Sequence, residues 1–328
     1  MNHGGNVWDS GKPSDWLDFS ANLRPEGPFS WIPELVSTGF ENIRYYPDPE
    51  MKRAVKGLAA FLNLPEECVL PTAGGTAAID LALGLSRGTV YTVPPAFGEY
   101  ARRAMAHDRP HEAWAGAVRK GDTLVVCNPC NPTGSVLTRG ELIRLRERLT
   151  ADGGGLLIDE AFIEYCPEYS MRNDLRPGMI IAGSMSKILG IPGIRFGYLC
   201  AVPETIQALR AEMLPWSLDA FASEIAARLP LHAAEIRAEA ALNAVRRKMF
   251  AERLREIGGD TAPSEANFLL ADFHRDLTGA AAELRSRGIL VRTCVSFHLP
   301  ACFWRLAVKT EAENNRFVKE MEDILHAR

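Results

Sequence analysis

Through the first two thirds of the chain, short β-rich runs alternate with segments of helical pattern, and this alternation limits the possible folds more than any other feature. Candidate strands lie at 89–93, 123–127, 156–159, 179–183 and 195–201, and candidate helices at 75–85, 97–107, 138–150 and 204–213. A strand followed by a helix and then another strand implies a mostly parallel sheet, because each crossover helix must pack on one of its faces. Ligands in such folds bind at the carboxyl ends of the strands. The loops after these strands are therefore where chemistry is expected.

The remainder of the chain reads differently. Residues 218–257 are rich in Ala, Glu and Arg and predict long helices, followed by strand-like pieces at 267–271, 289–293 and 304–308 and a closing helix at 311–326. With the N-terminal arm (1–40), this region (225–328) is expected to form a smaller α+β domain beside a large domain (41–224), bridged by a long helix. The fold class is thus α/β, a mostly parallel mixed sheet with helices on both faces, plus a small α+β domain. The 328 residues are enough for one large core or two smaller ones.

Composition excludes several functions. A net charge of −4 argues against nucleic-acid or membrane-surface binding. No apolar run approaches the roughly 20 residues of a membrane span. The opening MNHGGNVWDSGK lacks a basic stretch before an apolar core, so no secretory leader is expected. Seven scattered cysteines, an odd number, fit reduced thiols and a cytoplasmic location. Cys127 and Cys130 form a single CxxC without a second pair or a nearby His, so no metal is expected. No GxGxxG follows a strand, which leaves a nicotinamide site unsupported.

One segment carries an electrostatic problem. Between Arg176 and Glu204 the only charged residues are Lys187 and Arg195, where an average stretch would hold about six or seven. The segment is apolar and Gly-rich, as buried chain is, although a surface loop with a solvated lysine would read the same way. If buried, its two cations need an anion from elsewhere in the fold or from a ligand. Burial also favours the neutral amine. A neutral lysine beside a fixed arginine suits a nucleophile next to a phosphate site, as in Schiff-base chemistry with a phosphorylated aldehyde.

Four motifs surround this idea, in order. Asn128-Pro129-Cys130-Asn131-Pro132-Thr133-Gly134 follows the strand at 123–127, and its two Asn-Pro steps exclude a helix and fix a loop that can present the Asn131 amide. Asp159-Glu160-Ala161-Phe162 ends the next strand, where Asp159 would hold a ring-nitrogen proton or merely cap a helix. Ser184-Met185-Ser186-Lys187 comes third, and Arg195 fourth.

Together these motifs resemble the fold-type I pyridoxal-phosphate enzymes, the aspartate aminotransferase superfamily. The resemblance spans nearly the whole chain and implies pyridoxal 5'-phosphate as cofactor. It implies that Lys187 carries the cofactor as an imine, that Asp159 pairs with the pyridinium nitrogen and that Asn131 bonds the ring hydroxyl. It gives Ser184, Ser186 and Arg195 to the cofactor phosphate, together with backbone N–H groups at Gly74, Gly75 and Thr76, and it places Phe97 against the ring. Relatives carry an acidic, amide-bearing loop where this chain has Thr72 to Ala77, so backbone contacts would have to serve. Tyr46 matches a tyrosine that reaches the neighbouring subunit's phosphate, which implies a homodimer with composite sites.

Within that superfamily, HGGN (3–6) and DFSANLRPEG (18–27) look like the threonine-phosphate decarboxylases of cobalamin biosynthesis, as do DEAFIEY (159–165), LPWSLDAFA (214–222) and the C-terminal segments bearing Arg292 and Arg305. Phe162, where aminotransferases often have Tyr, agrees with this narrower resemblance. It implies a phosphorylated amino acid as substrate, with His3, Asn22, Arg292 and Arg305 around it. An aminotransferase of the histidinol-phosphate type is the alternative. A cofactor-binding sensor without catalysis is disfavoured by the retained Lys187, Asp159 and Asn131.

Overall fold

A computed structural model of the chain describes residues 4–9 and 11–326. In chain order, the first half comprises β1 (Leu17–Asp18), α1 (Ile32–Asn42), α2 (Lys52–Leu62), β2 (Val69–Thr72), α3 (Gly75–Gly84), β3 (Val90–Thr92), α4 (Glu99–Ala106), β4 (His111–Ala113), β5 (Thr123–Cys127), α5 (Arg139–Ala151) and β6 (Gly155–Glu160). The second half comprises β7 (Met179–Ser184), β8 (Gly197–Cys200), α6 (Pro203–Glu212), α7 (Ala220–Arg228), α8 (Ala233–Glu256), β9 (Asp260–Thr261), β10 (Phe268–Asp272), α9 (Thr278–Ser286), β11 (Ile289–Leu290), β12 (Arg292–Thr293), β13 (Phe303–Ala307) and α10 (Glu311–His326).

The main sheet has seven strands in the order β2-β8-β7-β6-β5-β3-β4. All neighbours are parallel except β8, which runs antiparallel to both β2 and β7. The central strands read as continuous apolar runs because helices cover both faces; Leu156, Leu157 and Ile158 of β6 are all buried. After β3 and β4 the chain returns to the other side of β3 for β5, then proceeds through β6 and β7. This reversal of direction lies at the ends of β3 and β5, which is where α/β sheets open a ligand crevice.

The second half builds a four-stranded antiparallel sheet, β12-β13-β10-β9. The single strand predicted at 289–293 is split. Ile289–Leu290 pairs in parallel with β1, while Arg292–Thr293 pairs with β13. The split turns Arg292 toward the partner strand that bears Arg305.

Two large apolar clusters result. One surrounds the seven-stranded sheet; the other joins Leu17, Phe19, Phe250, Trp304 and Phe317. Helix α8 spans both, burying Ile236 and Ala240 in the first and Phe250 and Leu254 in the second. The arm at 1–40, assigned from sequence to the small domain, divides between them. Leu17 and Phe19 join the second cluster, whereas Phe29, Trp31 and Ile32 join the first. Trp31 is held there by stacking on His232, with ring centroids 4.0 Å apart. No helix among the described residues is long and apolar enough to cross a membrane.

Candidate active site

A cavity of about 370 Å³ opens at the carboxyl ends of β5, β6 and β7, against the four-stranded sheet. Strand pleating sorts the Asp-Glu pair that ends β6, because successive side chains point to opposite faces. Asp159 turns into the cavity. It accepts a hydrogen bond from the Tyr100 hydroxyl at 2.6 Å and from the Ala161 N–H at 2.9 Å. Glu160 turns away and accepts from the Ser170 hydroxyl and the Met171 N–H. Burial raises the Asp159 carboxyl above its ordinary value, and the two donors and Lys187 pull it back. A buried carboxylate with this surplus is matched by a cationic ring nitrogen.

Lys187 stands in the turn after β7, and its nitrogen faces the cavity. The turn is closed by the Gly190 N–H onto the Lys187 carbonyl and by the Ile191 N–H onto Ser186. Burial pushes the Lys187 ammonium down to about 8, with Arg305 and Arg195 adding to the shift and Asp159 opposing it. A substantial fraction of neutral amine near physiological pH is what imine formation needs. Of the two cations read from the sequence, Lys187 is thus desolvated in the cavity lining, whereas Arg195 is exposed at its edge.

The N-terminus of α3 faces the same cavity through Gly75 and Thr76. Its first turn carries no acidic residue, so its free N–H groups present positive potential to an anion. Gly74 caps this helix at φ +93°, and a Cβ there would stand 2.6 Å from an Arg195 nitrogen. Only glycine lets that guanidinium lie against the helix entrance. Ser184 and Ser186 line the same end, and a Cβ on Gly75 would come within 3.1 Å of the Ser184 Cβ. The serine is thus packed against the start of α3.

The two asparagines of the Asn-Pro loop have separate duties. Asn128 is fully buried and clasps the loop, accepting from the Leu137 N–H at 2.8 Å and donating to the Leu137 carbonyl at 3.2 Å. Asn131 is the one presented to the cavity, and its Oδ1 accepts from Arg305 Nη1 at 2.6 Å. That contact uses the Asn131 oxygen and not its amide N–H groups. Phe97 forms a wall and meets Tyr100 edge-on at 5.6 Å.

The opposite wall is cationic. Arg292 and Arg305 are direct cross-strand partners on β12 and β13, a register in which like charges repel. Both are buried. Arg305 donates from Nη2 to the Ser20 carbonyl at 2.6 Å, and Arg292 from Nη2 to the Ser296 hydroxyl at 2.6 Å. Among the described residues, the hydrogen-bond partners of Arg195, Arg292 and Arg305 are all neutral oxygens. Burial lowers Arg305 to about 10, with Arg292 contributing, yet it stays protonated at neutral pH. Its Nε is buried without a partner, while its two terminal nitrogens bond Asn131 and Ser20. Besides the ion-paired Arg102 and Glu99, the cavity is lined, among the described residues, by Lys187, Arg195, Arg292 and Arg305 with Asp159 as the one further carboxylate, so cationic charge is in excess there.

The N-terminal segment closes this side. The Gly5 N–H donates to the Ser20 hydroxyl at 2.7 Å, and that hydroxyl donates to Asp18 at 2.6 Å. A Cβ on Gly4 would lie 2.0 Å from the Ser20 carbonyl oxygen, which explains the glycine in HGGN. Asn22 is buried at the cavity with its Oδ1 unpartnered. His3 lies outside the described residues. Tyr46 does not line this cavity; it is 81% exposed and packs on Trp216, ring centroids 4.9 Å apart. Sequence reasoning missed Tyr100, Ser20 and Ser296. For Tyr100 one signal existed, since it lies one helical turn beyond Phe97.

The residues present fit pyridoxal 5'-phosphate: a lysine with a lowered pKa, a buried acid, a presented amide and an arginine that lies at a helix N-terminus and, among the described residues, bonds only a backbone carbonyl converge on one cavity. Comparison with known proteins agrees. The model of the family "Aminotransferase class I and II" matches residues 14–321. Threonine-phosphate decarboxylase of Salmonella typhimurium is 28% identical over 98% of this chain and 96% of its own length. Histidinol-phosphate aminotransferase 2 of Mannheimia succiniciproducens is 30% identical over 92% of this chain and 90% of its own. The crystal structure of histidinol-phosphate aminotransferase from Clostridium acetobutylicum shares the fold with a TM-score of 0.86 at 24% identity, over 94% of this chain and 99% of that one. The chain belongs to the class I and II aminotransferase family, has the fold-type I architecture and uses pyridoxal 5'-phosphate as its cofactor.

Proposed function

We propose that this enzyme decarboxylates L-threonine O-3-phosphate, giving (R)-1-amino-2-propanol O-2-phosphate and CO₂, the aminopropanol unit of cobalamin. The observation that carries the reading is the cross-strand pair Arg292 and Arg305, buried with no carboxylate between them. A side-chain phosphate supplies the charge this pair lacks, and two guanidinium forks suit its geometry. Gly4 and Gly5, held at Ser20 beside Arg305, support a covering segment over that phosphate; His3, the residue the sequence offers for it, lies outside the described residues.

Reaction choice follows from orientation. If both arginines hold the phosphate, neither grips the α-carboxylate. The bond from Cα to the carboxylate then breaks, CO₂ leaves, and a proton takes its place. The cofactor, when bound, supplies the electron sink. Asp159 holds a proton at the ring nitrogen, Asn131 donates to the ring hydroxyl, and Phe97 fixes the ring face. Gly74, Gly75, Thr76, Ser184, Ser186 and Arg195 hold the cofactor phosphate.

A second reading has its own support. Arg305 touches Asn131 at 2.6 Å, so it stands close to the ring hydroxyl, where an α-carboxylate would sit in an aminotransferase. That arrangement would leave Arg292 for a distal phosphate and favour amino transfer from a substrate of the histidinol-phosphate kind. CO₂ release from threonine phosphate without any keto acid separates the two. Stoichiometric release supports the decarboxylase; no release, with amino transfer to 2-oxoglutarate, supports the alternative.

We also propose a cytoplasmic homodimer with composite sites. Tyr46 is exposed together with Phe40, Ile43, Tyr45 and Trp216, an aromatic surface suited to a second copy. Tyr46 would there reach the neighbour's cofactor phosphate. Loss of dimer and of cofactor affinity together in Tyr46→Ala is the expected result.

A further inference from the structure

The carbonyl oxygen of Lys187 is held by two segments other than its own turn. The Arg24 N–H donates to it at 3.2 Å, and the Tyr165 hydroxyl donates to it at 3.3 Å. The same hydroxyl accepts from Asn267 Nδ2 at 3.1 Å. Asn267 is fully buried and immediately precedes β10. Its carbonyl accepts the Val308 N–H at 2.8 Å, and β10 pairs with β13 so that Leu270 stands opposite Arg305. A continuous chain of contacts therefore runs from the sheet that bears both cavity arginines to the backbone of the lysine.

Packing alone does not call for these polar groups. The Tyr165 ring sits in the apolar core, where phenylalanine would serve as well. Asn267 is buried with its Oδ1 unpartnered, which costs stability. What the asparagine gains is its one contact to Tyr165. We propose that Asn267 and Tyr165 form a positioning relay, which sets the separation between the anion-holding arginines and the Lys187 nitrogen. Neither residue touches substrate. The Tyr165–Lys187 contact is long for an O–H···O bond, so the relay has slack at that step to take up when an anion draws the arginines inward. The inference rests on Lys187 as the reactive amine and not on which reaction follows.

The test uses Tyr165→Phe, Asn267→Ala and the double variant, measured per folded, cofactor-loaded molecule with whichever phosphorylated amino acid the enzyme turns over. We expect kcat to fall about tenfold to a hundredfold with KM nearly constant, as a misplaced reacting group predicts. Hydrogen exchange should rise in the peptide covering residues 185–191, with and without cofactor. The double variant should lose no more than the worse single variant, because the two side chains act through one chain. Unchanged kcat and exchange in Tyr165→Phe, or losses that multiply in the double variant, would overturn the relay. Should Asn267→Ala fail to fold, Asn267→Leu keeps the shape without the donor. The exchange measurement needs no turnover, so it stands even if threonine phosphate proves not to be the substrate.

Discussion

The cavity wall from the seven-stranded sheet holds its acid among partners, whereas the wall from the four-stranded sheet holds two arginines facing each other without a counter-charge. On the first wall Asp159 is fixed by Tyr100 and Ala161, and Lys187 by the turn around it. On the second, Arg292 and Arg305 lie over the Phe297 and Phe268 rings and, among the described residues, hydrogen-bond neutral oxygens. The first wall is complete for a cofactor. The second lacks a counter-charge, which the proposed substrate phosphate would supply. The difference teaches that cofactor chemistry and substrate choice occupy separable structures, which meet at the Arg305–Asn131 contact.

Each proposed change tries to break that separation. The largest effect is expected from Lys187→Ala, which should abolish turnover while the cofactor still binds non-covalently; a normal rate would remove the lysine from the chemistry. Asp159→Asn comes next. Breaking one side of a buried ion pair costs about 3–5 kcal/mol, a loss of roughly 10²- to 5 × 10³-fold in rate, measured as kcat/KM. Tyr100→Phe deprives Asp159 of one donor and leaves its carboxyl higher still, and a hydrogen bond to a charged group is worth about 1.5–3 kcal/mol. We expect about a tenfold fall or more in kcat, with the affinity for the phosphorylated substrate unchanged.

The smallest effect is one of pH. The folded Lys187 loses its proton near 8 instead of 10.5, and only the neutral amine captures the aldehyde. The rate of chromophore formation in cofactor-free protein should therefore climb about tenfold per pH unit below that value and level off above it. A climb that continues to pH 10 would mean an ordinary, solvated lysine.

The first wall was largely legible in the sequence, because its parts are local. Three of the four motifs lie at or just after the end of a strand, and an apolar segment with two lone cations announces its own need for an anion. The strand at 123–127 and the helix at 311–326 have the predicted bounds. The second wall depends on long-range pairing. Nothing local shows that 289–293 divides between two sheets, so the register that sets Arg292 opposite Arg305 could not be read. Tyr100 was hidden for the same reason, since its hydroxyl meets a carboxylate 59 residues away. Trp31 and Ile32 were misplaced because their partners on α7 and near His232 are remote in sequence.

The most direct test of the division of labour is to replace both Arg292 and Arg305 by alanine and to measure cofactor capture alongside turnover of threonine phosphate and free threonine. Capture at Lys187, read by absorbance and by borohydride fixation, should stay within a few-fold of the parent protein, while kcat/KM for the phosphorylated substrate falls about 10³-fold and that for threonine changes far less. Equal losses for the two substrates, or loss of the cofactor itself, would contradict the account.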